Sequence, residues 1–316
     1  MALISVEETI NTIRYLENLD LEICSDKEVR HHLRKICNIP VALRVWDAGT
    51  VICRAVKVNS EKFQYKIDEI SYNPNLESCN FNRASLKRST AFYGSITSNV
   101  IRGSDNPAFE ILPLPKKNSV GIKRYALIIG KWVLQKRTEF LSIGGGESLA
   151  HLCEAGRSRN EFFIDKLKTY PDAALQYKII DSFLARQFSK EVSDKRKFEY
   201  RISATYAQMI RELGIPGIVY PSVKSNGAGL NIALFPDAIN QGLISLEFAS
   251  LCTYYVRDSD IVNEYTLIGY PKEGFLQWKD GDGGRIDPAV KAYYTGRSNF
   301  NPIEGKVEII NLDHQA

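Results

Sequence analysis

The order of elements beyond the first forty residues predicts an α+β fold: strand signals come first, helix signals next and strand signals again, without the regular alternation of a βαβ protein. Composition agrees, since 316 residues that are 44% hydrophobic and 25% charged can bury one large core, or one core and a small appendage. No internal repeat or low-complexity tract breaks the pattern.

The first forty residues carry two helix starts. Ser5-Val6-Glu7-Glu8 and Ser25-Asp26-Lys27-Glu28 are capping boxes, in which a serine and the glutamate three positions on satisfy free backbone donors. Pro40 ends the second helix, whose Val29, Leu33 and Ile36 fall on one face. Residues 1–45 are expected to form a helical appendage that caps a main domain of residues 46–316.

Alternation and β-branched residues predict a strand from Thr50 to Val58 that carries Arg54 among apolar neighbours, and a second across Ala91 to Ile96. Ser104 and Pro107 suit a short helix start with Glu110 in or just after its first turns. Two more strands are expected across Gly121 to Ile129 and Trp132 to Ile143. From about Ser148 to Phe188 the chain reads as helical. Ser158 with Glu161 forms a capping box, and Pro171 opens a helix with Leu175, Ile179 and Phe183 on one side. Ser189 to Arg196 is a charged loop. A further helix starts near Ser203, presents Ala207, Ile210 and Leu213, and stops at Gly214 with Pro216 behind it. A strand follows from Gly217 to Tyr220, and the tail from Thr253 to Leu312 adds more strands, including Val256, Glu264 to Ile268 and Val307 to Ile310.

Several function classes are disfavoured. The longest apolar stretch, Tyr125 to Leu134, is broken by Lys131 and falls short of the roughly 20 residues of a spanning helix. The N-terminus turns acidic at once and has no basic flank, so no secretory signal is expected and a cytoplasmic location is. The six cysteines form no C-x-x-C pair and the four histidines show no ligand spacing, so neither a disulfide framework nor a metal site is expected. A net charge of +4 suits an anionic ligand but lacks the dense stripe of a nucleic-acid binder. Gly144-Gly145-Gly146-Glu147-Ser148 has neither phosphate-loop spacing and reads as a turn. Lys279 to Arg285 lacks the twelfth-position glutamate of a calcium loop and reads as a hairpin-type loop.

Chemistry concentrates in Gly217 to Phe235, where a polar, glycine-containing loop joins two apolar strands. Pro221 is expected to end ladder pairing after Tyr220, so that Ser222 projects from a strand end. Taken alone, the segment is an ordinary strand connection.

The whole run closely resembles the C-terminal signature of the RES domain, a helix followed by G-[IV]-x-Y-x-S and an apolar strand ending in Phe. Upstream, in the family's order, Arg54 in Cys53-Arg54-Ala55 resembles its strand arginine. Phe81-Asn82-Arg83 before Phe92-Tyr93 resembles its R-F-N...LY segment, and Ala108-Phe109-Glu110 its A-x-x-E helix. The matches run from about residue 50 to 240, with a helical insertion at about 116–197. Two features depart from the family: Ala55 stands where many members carry an aromatic residue, and the Tyr93 to Glu110 spacing is long, which makes Asp105 a rival acidic residue.

The resemblance implies a mixed, mostly antiparallel split sheet with flanking helices, similar to ADP-ribosyltransferases. It also implies an NAD phosphorylase or glycohydrolase, a toxin-like enzyme held by an antitoxin-like partner. NAD is then the substrate, inorganic phosphate an optional co-substrate, and no cofactor or metal is required. Arg54, Glu110 and Ser222 are the catalytic candidates. Tyr93, Arg83, Tyr220 and Lys224 are the substrate-binding candidates. Transfer of ADP-ribose to a protein, or nucleotide binding without turnover, are the alternatives. Each residue also has an ordinary structural role open to it: an ion-paired strand arginine, a core tyrosine with its hydroxyl at the rim, a solvated helix carboxylate.

Overall fold

The computed structural model describes residues 4–36, 43–58, 65–96, 108, 111–112, 122–144, 165, 168–222, 229–257, 260–280 and 309–310. The chain forms two compact units, each drawn from separated stretches. One comprises Met1–Thr50, Tyr72–Ile96 and Gln135–Leu243, and the other Val51–Ser71, Thr97–Leu134 and Ile244–Ala316. Helices and mixed, mostly antiparallel strands make the fold α+β.

The first unit begins with α1 (Val6–Asn18) and α2 (Asp26–Ile36). The first capping box forms in full: Ser5 Oγ accepts the Glu8 N–H at 3.1 Å, and the Glu8 carboxylate accepts the Ser5 N–H at 2.9 Å. Ser25 Oγ accepts the Glu28 N–H at 3.1 Å, while the Glu28 carboxylate takes the Tyr15 hydroxyl at 2.9 Å. Val29, Leu33 and Ile36 are buried as their spacing predicts. They share one core with α3 (Pro171–Phe188) and α4 (Arg201–Glu212).

In α3 the buried stripe differs from the expected one: Leu175 is exposed and Ile179 half-buried, whereas Ile180, Phe183, Leu184 and Phe188 are buried. Contacts with both α1 and the sheet widen and rotate the apolar face. Helix α4 starts at Arg201, ahead of the expected Ser203, because a 3-10 turn at Asp194–Tyr200 feeds directly into it. Leu213 is exposed, since α4 has already ended, and Gly214 adopts φ of +78°, where a side chain would be strained.

Ion pairs join the helices at their rims: Arg30 with Glu212, Arg186 with Glu17 at 2.9 Å, and Arg211 with Asp237 through two bonds of 2.9 and 2.7 Å. Exposed pairs of this kind are worth about 0–1 kcal/mol each. On the α1–α2 surface His32 lies against Tyr15, with ring centroids 4.2 Å apart, and beside His31. Burial, then the charges of Lys35 and His31, lower the His32 pKa, while Glu28 raises it. The folded state therefore prefers neutral His32. As pH falls below the ordinary value of 6.5 the unfolded chain takes up this proton first, and stability declines until the lowered folded pKa is passed. Denaturation at a series of pH values between about 7 and 5 is expected to show this decline, and His32→Gln to flatten it; an unchanged slope in the variant would rule the assignment out.

The strands of this unit are β1 (Leu43–Trp46), β3 (Phe92–Ile96), β5 (Thr138–Ser142), β6 (Gly217–Pro221) and β7 (Leu230–Leu234), in spatial order β1-β5-β6-β7-β3. Among the described residues of this unit β5 and β6 pair in parallel, and the pairings β1–β5, β6–β7 and β7–β3 are antiparallel. A parallel pair needs a long crossover, and α3 and α4 supply it.

The second unit is an antiparallel set in the order β2 (Val51–Lys57), β4 (Ile122–Leu134), β8 (Ile244–Arg257), β9 (Asp260–Lys272) and β10 (Phe275–Asp280). Short β11 (Ile309–Ile310) pairs with the start of β4. Strand β4 is continuous through Gly130 and Lys131, and the break expected there falls instead between Leu134 and Thr138. Pairing along β8 holds the long strand together, with a register shift at Lys131/Trp132 absorbing the irregularity. Cys53 packs in a core with Leu127, Ile129 and Cys252, and burial pushes its thiol up to about 11. It behaves as a small hydrophobe. Lys279 and Asp280, expected in a loop, finish β10. Cys24, Cys53, Cys79 and Cys252 are free thiols. Among the described residues no helix is long and apolar enough to cross a membrane, and no cluster of side chains suits a metal ion.

Candidate ligand site on the helix-covered sheet

The candidate residues of the first unit are organised by strand register. Tyr220 on β6 lies opposite Asn231 on β7, which lies opposite Ser95 on β3. Directly opposed residues share a face, so these three form one row. The next row on the same face is Ile218, Ala233 and Tyr93. Ile218, Tyr220 and Ala233 enter the core with α3 and α4, which identifies this as the helix-covered face. The Phe188 ring packs against Tyr220 with centroids 5.4 Å apart.

Pro221 does not end the ladder. It pairs with Leu230, and the Ser222 N–H donates to the Gly229 carbonyl at 2.8 Å. Antiparallel pairs alternate between hydrogen-bonded and non-hydrogen-bonded positions. Because Ser222 and Gly229 occupy a bonded position, Pro221 falls on the position where β7 asks for no N–H. Ser222 therefore stays on the sheet, 1% exposed, on the Tyr220 face instead of projecting from a strand end.

The polar row is buried. Ser95 is 1% and Asn231 4% exposed, and the Ser95 hydroxyl donates to Asn231 Oδ1 at 2.8 Å. Buried polar side chains persist where such partners satisfy them. Opposite Ser222 stands Gly229, which adds no side chain to the face. Asp181 on α3 adds a carboxylate near the same sheet end: it is buried and accepts the Gly144 N–H at 3.2 Å, one residue beyond the bond from the Ile143 N–H to the Val219 carbonyl.

Tyr93 is half-buried and its hydroxyl is engaged by the tight turn at Asn82–Ser85. The oxygen accepts the Ala84 N–H at 3.1 Å and lies 3.0 Å from Ser85 Oγ. The arginine of that turn, Arg83, donates to the Lys190 carbonyl at 3.2 Å and lies over the Tyr200 ring at 5.5 Å. Those contacts anchor the residues that follow α3. Burial lowers the pKa of the neighbouring Lys190, with Glu199 and Glu17 opposing the shift.

Arg54 belongs to the second unit. It is half-buried on β2 directly opposite Gly130 of β4, and the space beside Gly130 is filled by the side chains of Trp132, Leu246 and Ile70. Cys53 and Ala55 point the other way, into the core. Glu110, its rival Asp105, and Lys224 lie outside the described residues. The structure therefore brings Tyr93, Tyr220 and Ser222 onto one face of one unit. It adds Asn231, Ser95 and Asp181, which sequence reasoning did not single out. A signal for Asn231 exists: it is the one polar residue in the run Leu230 to Phe235, and asparagine is disfavoured in strands.

The class defined by these features is an α+β protein with a buried polar row of hydroxyl and amide groups on a helix-covered mixed sheet. Residues 157–247 match the family model of the RES domain. The matched segment carries Tyr220, Ser222 and Asn231 and begins inside the stretch 116–197 that the sequence set apart as a helical insertion. No curated protein matches the chain.

Proposed function

We propose that this protein degrades NAD by breaking the bond between nicotinamide and ribose, with phosphate or water as the acceptor, and acts as a toxin-like effector restrained by an inhibitory protein partner. The observation that carries the reading is the coincidence of the RES-domain match with the buried polar row at Ser222, Tyr220 and Asn231. A likeness to the ADP-ribosyltransferase fold is part of the same proposal.

The residues suit the reaction. When the glycosidic C–N bond breaks, its electron pair goes to the pyridinium nitrogen and an oxocarbenium-like centre develops on the ribose. A carboxylate near the sugar stabilises that charge, the role given to Glu110. Arg54, with its planar fork of donors, suits the pyrophosphate or the incoming phosphate. Tyr93 offers a flat aromatic surface for nicotinamide, and Ser222, beside the substrate-binding candidate Tyr220, a compact donor and acceptor for a ribose hydroxyl or the carboxamide. Lys224 and Arg83 are supporting cations. Ser222 is assigned to positioning, because no histidine stands in a hydrolase-like motif beside it.

Purified protein incubated with NAD, with and without phosphate, is expected to release nicotinamide, and Arg54→Ala to slow release by about tenfold or more, the usual cost of losing a charge-assisted contact. Absence of release by the wild type would overturn the reading. Label from adenine-labelled NAD that ends on a macromolecule instead of in small molecules would favour ADP-ribosyl transfer.

A further inference from the structure

We infer that the outer face of α2 is a docking surface for an acidic helix of a partner protein, engaged through Lys27, His31, Arg34 and Lys35. None of these residues belongs to the candidate NAD site, so the inference does not depend on the proposed reaction.

The packing of α2 decides which of its faces meets solvent. The helix buries Val29, Leu33 and Ile36. Its flank toward α4 carries Asp26, paired with Arg201 at 3.0 Å, and Arg30, paired with Glu212. Its flank toward α1 carries Glu28, which accepts the Tyr15 hydroxyl at 2.9 Å, and His32, which lies against the Tyr15 ring. With about 3.6 residues per turn, the remaining positions Lys27, His31, Arg34 and Lys35 fall together on the outer face. All four are exposed. Both carboxylates of α2 are thus engaged on its flanks, and among the described residues Lys27, Arg34 and Lys35 make no ion pair.

Helix formation does not account for this one-sided charge. Arg34 and Lys35 suit the last turn, where cations complement the helix dipole. Lys27 stands in the first turn, at the positive end of the dipole, and like charges one turn apart repel. An opposing row of carboxylates would offset both effects. Carboxylates at i, i+4 and i+7 of a second helix extend about 10 Å along its axis, the same run as Lys27, His31 and Arg34. Apolar side chains border the stripe: Ile23, 81% exposed, in the turn that leads into α2; Tyr15, 44%, on α1; and Leu213, 69%, next to the Glu212 that holds Arg30. Such side chains find partners on a protein helix and none on a phosphate backbone, which decides for a protein over a nucleic acid.

The test uses the full chain and a synthetic peptide, held helical by a side-chain lactam, with glutamates at i, i+4, i+7 and i+8 and leucines at its edges. A second peptide carries glutamines in place of the glutamates. Fluorescence anisotropy is expected to show the glutamate peptide binding about tenfold or more tightly than the glutamine peptide, and weakening as salt rises from about 0.05 to 0.3 M. Lys27→Glu combined with Arg34→Glu should lower that affinity about tenfold or more. The same double variant should gain affinity for a third peptide with lysines at the four positions, a swap that loss of fold would not give. Equal binding of the glutamate and glutamine peptides, or unchanged binding by the double variant, would overturn the docking surface. So would a duplex DNA oligonucleotide that binds more tightly than the glutamate peptide through the same residues, since the face would then belong to nucleic acid. Nicotinamide release is followed on the same samples, and the double variant should match the wild type. A wild type that binds the glutamate peptide as described but releases no nicotinamide would overturn the proposed reaction and leave the docking surface standing.

Discussion

Phe188→Ala is expected to destabilise the protein by about 4 kcal/mol, within the range for emptying a buried aromatic site. Phe188 is fully buried at the end of α3 and shares the core of the first unit with Ile180, Leu184 and Tyr206. Its ring packs on Tyr220, 5.4 Å between centroids. Removing it costs the transfer energy of a phenyl group plus the cavity left behind, and it also removes the surface that fixes the Tyr220 ring beside Ser222. Urea denaturation should report the loss, while Phe188→Leu, which keeps most of the volume, should cost about 1–1.5 kcal/mol. A loss below about 1 kcal/mol for the alanine variant would mean that α3 is not seated as described. Because the same ring supports the proposed site, the alanine variant should also bind NAD more weakly at temperatures where it remains folded.

Arg201→Ala should cost about 3 kcal/mol, for a different reason. Arg201 opens α4, and its guanidinium draws the turn between α1 and α2 onto that helix. It donates to the Leu21 carbonyl at 2.7 Å and to the Cys24 carbonyl, pairs with Asp26 at 3.0 Å, and lies over the Phe81 ring at 4.9 Å. Hydrogen bonds from a charged donor are worth about 1.5–3 kcal/mol each, and the alanine would leave two part-buried carbonyls without their donor. The Asp26 pair adds less, since that carboxylate is half exposed and screened by water. Arg201→Lys keeps the charge but not the fork, so it should recover only part of the loss. Protease sensitivity confined to residues 1–36 in Arg201→Ala would show that the hub holds the N-terminal helices. Equal stability of wild type and alanine variant would refute it.

The contrast between these sites explains which features were legible beforehand. The Ser5 capping box, the helix end at Gly214, the strand carrying Arg54 and the apolar stripe Val29, Leu33 and Ile36 were all readable, because each depends on groups within a few residues of one another. The Arg201 hub was not. Its partners lie about 180 positions away in sequence, and no local preference encodes a contact over that distance. Leu175 was assigned to the wrong side of α3 for a related reason: periodicity marks an apolar face, but the elements packed against a helix decide how wide that face becomes.

The site divides along the same line. Sequence alone determined that Gly217 to Phe235 is a strand pair with a polar, glycine-containing connection, that Tyr220 and Ser222 belong to it, and that the chain resembles the RES domain, whose model matches residues 157–247. Only the tertiary structure decided that Pro221 sits where its absent N–H is not needed, so that pairing continues to Ser222. It also decided that Ser95, 136 residues from Asn231 in sequence, completes the buried row. Local propensity sets which residues enter a strand, whereas register is set by pairing between distant segments, and it is register that makes neighbours of Ser95, Asn231 and Tyr220.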